Sequence, residues 1–222
     1  MADVALQRKN MVESQVRPND VTDRRILNAM LAVPREAFVP TALKPIAYMD
    51  EALTLVKANA GSHARGLMAP RVFAKLVQLA EIGTNDVVLD VGAMSGYSSA
   101  VIARLAQTVV ALEADTALAD AATTALAELA ADNAAVVTGE LEVGYPSEGP
   151  YDAIVIEGAV EQVPPALLDQ LKDGGRLVAV EAGVPSRAIV WKRMGRKFDR
   201  RAVFEAAAPA VPGFENKKEF VF

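Results

Sequence analysis

From residue 86 onward the chain repeats one alternation: a short apolar run, a turn, then a helix-forming segment. The runs are DVVLDV at 86–91, TVVAL at 108–112, AAVVT at 134–138, YDAIVI at 151–156 and RLVAV at 176–180, the last following the Gly174-Gly175 turn. Strands that are apolar at nearly every position have no polar face to offer water. They must be covered on both sides. The segments between them, predicted as helices over 97–105, 116–130 and 164–171, supply that cover. The fold class that follows is α/β, a doubly wound, mostly parallel sheet. Further strands are expected within 186–207, and an edge strand at 220–222.

The first 81 residues have a different texture. Val4, Leu6, Met11, Val12 and Val16 among charges predict a helix within 3–17 that ends before Pro18. Thr22 reads as the N-cap of a helix over 23–33, with Ile26, Leu27, Met30 and Leu31 on one face and Pro34 as its stop. Residues 41–66 have weak periodicity and predict mostly loop. Val72, Phe73, Leu76, Val77 and Leu79 place an amphipathic helix over 70–81. No linker separates these helices from the sheet. The expectation is one domain over 1–222, with 1–81 as an N-terminal helical elaboration and 86–222 as the core, and 222 residues suffice for a sizeable interior.

Composition removes several function classes. There are 28 acidic and 23 basic residues, a net charge of −5, which is not the electrostatic footprint of a nucleic-acid binder. The absence of cysteine excludes disulfides and thiolate metal sites, and a single histidine, His63, cannot build a multi-histidine one. The opening residues carry no apolar signal core, and Asp90, Arg104 and Glu113 interrupt the most apolar region, so no membrane span is expected and the location is read as cytoplasmic.

In sheets of this class ligands bind beyond the carboxyl ends of the strands, near the reversal in strand order. The turn after the first core strand reads Asp90-Val91-Gly92-Ala93-Met94-Ser95-Gly96-Tyr97. Gly92 can adopt backbone angles closed to other residues, and Gly96 permits close packing of the following helix. Glu113 stands 21 positions after Gly92 (113 less 92), at the end of the second strand, where a carboxylate can accept from two ribose hydroxyls. Asp115 is a second candidate. Glu140, after the third strand, is placed to accept from an exocyclic adenine amine. The cofactor-binding set is thus Gly92, Ala93, Gly96, Glu113 and Glu140. No catalytic residue and no metal ligand is assigned.

Beyond these features the chain resembles the protein-L-isoaspartate O-methyltransferases over nearly its whole length. The resemblance is carried by Met11-Val12-Glu13-Ser14-Gln15-Val16-Arg17, by Thr22-Asp23-Arg24-Arg25-Ile26-Leu27, by Val33-Pro34-Arg35-Glu36-Ala37-Phe38-Val39-Pro40, by Val88-Leu89-Asp90-Val91-Gly92 with Gly96-Tyr97, and by Tyr151-Asp152-Ala153-Ile154-Val155-Ile156 and 164–177. It implies a Rossmann-like methyltransferase sheet, S-adenosyl-L-methionine (SAM) as cofactor, and methyl transfer to a carboxylate. The acceptor it implies is the α-carboxyl of an L-isoaspartyl residue in a damaged protein or peptide.

Two positions depart from that pattern. The family's cofactor turn reads Gly-x-Gly-x-Gly, and Met94 stands at the middle glycine. Its side chain either enters the cofactor hollow or turns away. The family's acceptor loop reads Thr/Ser-Ile-Ser-Gln-Pro, whereas this chain has Gly66-Leu67-Met68-Ala69-Pro70. A thioether donates no hydrogen bond, so a replacement donor is sought among Ser62, His63 and Arg65, of which Arg65 can pair with a carboxylate. Three readings stay open: an isoaspartyl methyltransferase, a methyltransferase with a changed acceptor, and a non-catalytic relative that has lost SAM. Glu157, at a strand end, is either substrate-facing or packed. The basic run 191–201 is read as the solvated face of a hairpin, with Trp191 structural. The oligomeric state is left open.

Overall fold

The computed structural model describes residues 3–59 and 63–216; Ser62 and the edge strand expected at 220–222 lie outside them. The chain opens with α1 (Val4–Met11), capped by the Asp3 carboxylate on the Ala5 and Leu6 N–H groups. The expected helix does not run on regularly. It loosens into a π turn over Val12–Val16 and tightens into a 3₁₀ turn over Arg17–Asn19, carrying Pro18 at a position where no N–H is needed. Next comes α2 (Arg24–Ala32), whose cap is Asp23 rather than Thr22, since the Asp23 carboxylate accepts from the Arg25 N–H. Thr22 instead turns its N–H to the Gln78 side chain.

The stretch read as mostly loop contains a 3₁₀ segment over Thr41–Ile46 and a hairpin of β1 (Leu53–Val56) and β2 (Arg65–Leu67), paired antiparallel. Gly66 allows that pairing, because a Cβ there would meet the Leu53 carbonyl oxygen at 2.0 Å. Then α3 (Pro70–Ala80) begins with proline in its first turn, as expected.

The core follows as β3 (Val87–Val91), α4 (Tyr97–Ile102), β4 (Thr108–Glu113), α5 (Thr116–Glu128), β5 (Ala134–Thr138) and β6 (Tyr151–Val160). The helix expected over 164–171 is the single turn α6 (Pro165–Leu168). From Leu171 the chain is already in β7 (Leu171–Glu181), with the Gly174-Gly175 turn as an irregularity inside it. An antiparallel hairpin, β8 (Arg187–Met194) and β9 (Lys197–Glu205), completes the elements.

Seven strands form one sheet in the order β5-β4-β3-β6-β7-β8-β9, parallel from β5 to β7 and antiparallel beyond. Strand order therefore reverses between β3 and β6, and in sheets of this class the carboxyl end of β3 is where a ligand crevice is expected. Alternate residues divide the interior in two. Val88, Val109, Val155 and Val178 face a cluster that includes Met11, Met30, Phe73 and Tyr97, so the N-terminal helices cover this side. Leu89, Leu112, Ile154 and Leu177 face a second cluster covered by Leu141, Leu167, Val211 and Phe214.

Candidate functional site

The turn after β3 is held from three directions. The Gly92 and Ala93 N–H groups both donate to the Leu112 carbonyl, at 2.8 and 3.1 Å, tying the turn to the end of β4. Ser95 Oγ donates to the Phe38 carbonyl at 2.6 Å, tying it to the N-terminal segment. The Asp90 carboxylate accepts from Ser98 and Ser99 Oγ at 2.7 and 2.5 Å, tying strand to helix. Gly92 has φ +80°, so a side chain there would be strained. Gly96 has φ +93°, and a Cβ there would stand 3.1 Å from Ala122 Cβ, so the close packing it permits is with α5.

Met94 takes φ +53°, the left-handed region that favours glycine. Its side chain is 2% exposed and packs in the cluster with Phe73 and Tyr97, on the opposite face from Leu141 and Val211, which lie above Gly92. It turns away from the crevice. Met94→Gly is expected to lower stability all the same. Relief of the left-handed strain returns roughly 1–2 kcal/mol, but emptying a buried methionine site costs about 2–5 kcal/mol. Urea unfolding checks this, and a midpoint at or above the parent's would contradict the packing.

Glu113 ends β4 with 0% exposure. Arg65, from β2, grips it with two parallel bonds, Nη1 to Oε1 at 2.6 Å and Nη2 to Oε2 at 2.9 Å, and the arginine side chain is itself only 12% exposed. Backbone donors complete the shell: the Met94 N–H reaches Oε2 at 2.8 Å, and the Ala114 and Asp115 N–H groups reach Oε1 at 2.9 and 3.0 Å. Glu113, expected to meet a ribose, lies against the glycine turn, and its oxygens are taken by an internal cation. Arg65 Nη2 also lies 3.8 Å from the point where a Gly92 Cβ would sit, with Val211 Cγ1 at 3.6 Å and Leu141 Cδ1 at 3.8 Å.

Val211 belongs to a strap that returns over the strand ends. The Ala159 N–H donates to the Pro209 carbonyl and the Val211 N–H to the Ala159 carbonyl, at 2.7 and 2.9 Å. Gly158 makes room for it, since a Cβ there would meet the Pro209 oxygen at 2.4 Å. Nothing in the sequence pattern flagged this strap.

Beneath the turn lies a polar cluster. Arg35, fully buried, donates Nε to the Ala47 carbonyl at 2.9 Å and Nη2 to the Met68 carbonyl at 2.8 Å, and its guanidinium sits 4.7 Å from the Tyr97 ring centre. Glu157 is packed rather than solvent-facing at its carboxylate: burial, then the neighbouring Asp90 charge, holds its carboxyl well above the usual carboxylate range. Burial likewise pushes Asp90 up to about 6, against the opposing hydrogen bonds from Ser99 and Ser98. Because the folded-state values are raised, both groups favour the fold when protonated, and that contribution falls as pH rises above about 4. Glu157→Gln is therefore expected to gain stability relative to the parent at pH 8 and to gain less at pH 5, read as the difference in urea midpoints. A larger gain at pH 5 would reverse the sign and exclude burial as what raises the Glu157 carboxyl.

The remaining expectations fall as follows. Asp115 accepts from the Ala117 and Leu118 N–H groups as the N-cap of α5, so its carboxylate is committed there. Glu140 follows β5 with an exposed side chain, and His63 is exposed. The basic run forms the β8–β9 hairpin, with Arg200 stacked 5.8 Å from the Trp191 ring. Among the described residues no metal-ligand cluster is present, and no helix is long and apolar enough to cross a membrane.

Comparison with known proteins bears on this geometry. A solved structure of a protein-L-isoaspartate O-methyltransferase superposes with a TM-score of 0.80 at 24% identity, covering 93% of this chain and 66% of that one. A candidate enzyme of the same name from Plasmodium falciparum, solved in complex with S-adenosyl-L-homocysteine, gives 0.72 at 20% identity and covers 90% of this chain and 96% of that one. At these identities the likeness establishes the fold. In sequence, the Herpetosiphon aurantiacus protein-L-isoaspartate O-methyltransferase is 38% identical across 89% of this chain and 86% of its own length, and the Methanoculleus marisnigri one is 40% identical across 78% and 76%. With the family model matching residues 6–208, the chain belongs to the protein-L-isoaspartate(D-aspartate) O-methyltransferase family.

Proposed function

We propose that this protein is a SAM-dependent O-methyltransferase acting on a carboxylate of a protein or peptide, with the L-isoaspartyl α-carboxyl as the acceptor class, in the cytoplasm. The observation that carries the reading is Glu113, a buried carboxylate held by three backbone N–H groups at the carboxyl end of β4, directly beside the Gly92 turn that follows β3. The donor set fits the cofactor. Glu113 suits a ribose diol, Gly92 and Ala93 give the close backbone approach, Gly96 seats the helix, and Glu140 stands free for the adenine amine. Arg65 and Val211 share the space above Gly92 and have to move aside.

Gly92, Ala93, Gly96, Glu113 and Glu140 would hold SAM, which would supply an electrophilic methyl group for a carboxylate oxygen, a transfer that needs no proton moved. The chain's task is then positioning and exclusion of water. A groove of about 720 Å³ lies beside the acceptor loop, lined by Asp50, Thr54, Ala64, Ala69, Arg71 and Glu205, and gives a peptide a place to lie.

Titration calorimetry with S-adenosyl-L-homocysteine, followed by labelled-methyl transfer to an isoaspartyl peptide, tests the proposal. Binding with transfer supports it. Binding with transfer only to other carboxylates supports a changed acceptor. A second reading, a relative without catalysis, is favoured by the Arg65–Glu113 pair, and absence of binding at millimolar nucleoside would select it.

A further inference from the structure

The acceptor loop, Gly66-Leu67-Met68-Ala69-Pro70, lacks the hydroxyl that the family pattern implies. Met68 is buried in the core, so neither its thioether nor Ala69 can orient an anionic acceptor. The loop does hold a cation. Arg65 lies on β2, three positions before Met68, and its guanidinium already makes a two-pronged bond to a carboxylate at the cofactor turn. Donor and acceptor of a methyl group must meet at that turn, so Arg65 stands where both ligands converge.

From this we infer that Arg65 is the binding residue for the acceptor carboxylate, parked on Glu113 until an acceptor arrives. The inference rests on the methyltransferase reading. An incoming carboxylate replaces Glu113 with the same fork geometry, so the arginine exchanges one anion for an equivalent one. Glu113 stays ordered through the Met94, Ala114 and Asp115 N–H groups, and its outer lone pairs become available to the ribose hydroxyls. Splitting the pair serves both ligands. Acceptor and nucleoside therefore tighten each other's binding, by the same factor in either order. The parked state also keeps the anionic acceptor site and the cofactor cleft closed together, which disfavours idle cofactor binding.

The test is calorimetry on the full chain with S-adenosyl-L-homocysteine, alone and with a saturating short peptide carrying one L-isoaspartyl residue. For the parent, nucleoside affinity is expected to rise about tenfold with peptide, within the usual range of coupling between sites. Arg65→Ala is expected to bind the nucleoside at least as tightly as the peptide-loaded parent, with no further response to peptide. Arg65→Gln, which keeps a donor without the charge, guards against misfolding of the alanine variant and is expected to show the same loss of coupling. Nucleoside affinity in the parent that ignores the peptide, and is unchanged in both variants, overturns the exchange while leaving the methyltransferase reading intact. If no form binds the nucleoside, that reading fails and the exchange falls with it.

Discussion

Replacing Glu113 with alanine is expected to cost about 3–5 kcal/mol of stability, the range for breaking a buried ion pair from one side. The side chain is fully buried and accepts five bonds, two from Arg65 and one each from the Met94, Ala114 and Asp115 N–H groups. Alanine strands all five donors, one set of them charged and only 12% exposed. For a chain of this length each kcal/mol moves the melting temperature by roughly 2–4 °C, so scanning calorimetry should find a drop of about 6–20 °C. The pair itself is worth less than this, because two charges already gave up hydration to form it. The double variant Arg65→Met with Glu113→Ala is accordingly expected to melt above Glu113→Ala alone. A double variant that melts lower would show that Arg65 stabilises the fold through contacts other than Glu113.

Arg35→Met is also expected to lose stability, about 2–6 kcal/mol from the two buried carbonyls it leaves without a donor. Methionine fills much of the same volume but donates nothing, so the Ala47 and Met68 carbonyls lose their partner, at about 1–3 kcal/mol for each buried group left unpaired. The stacking against Tyr97, itself wedged between Phe38 and Phe73 at 5.7 and 5.6 Å, is lost too. Arg35 also supplies the positive charge that partly offsets burial of Glu157. Its removal should steepen the fall in stability with rising pH, as the Glu157 carboxyl then resists ionisation further. Urea midpoints of Arg35→Met at pH 5 and pH 8 check both statements. Equal losses at the two pH values would mean that Arg35 and Glu157 are electrostatically independent.

Short-range signals told the truth where the neighbours in space were also neighbours in sequence. The β5 strand fell on its predicted residues, and α3 began at its proline. Signals failed where a distant group decided the local structure. Asp23 displaced Thr22 as cap because Gln78, fifty-odd positions on, engages both the Thr22 N–H and its hydroxyl. The stretch before residue 66 lacked periodicity because a strand of four and a strand of three are too short to show one. The helix expected after Pro164 stopped after one turn because β7 begins earlier than its most apolar residues suggest.

The candidate site divides the same way. Spacing alone put Gly92, Gly96 and Glu113 together, since a strand–turn–helix–strand unit has few ways to close and its carboxyl end is fixed by the parallel sheet. Arg65 was named for its chemistry, as a cation able to hold a carboxylate, but its present partner lies 48 positions away. The direction of Met94 was open in sequence and was settled by which face of the sheet its left-handed backbone turns it toward.

The sequence by itself determined the layer architecture, the crevice and the anion at its edge, because periodicity and turn chemistry act over a few residues and leave a readable trace. Only the tertiary structure decided what fills that crevice. Whether Arg65 and Val211 come to rest over Gly92 depends on how a hairpin and a returning strap pack against the finished sheet, and contacts between such remote segments leave no pattern along the chain.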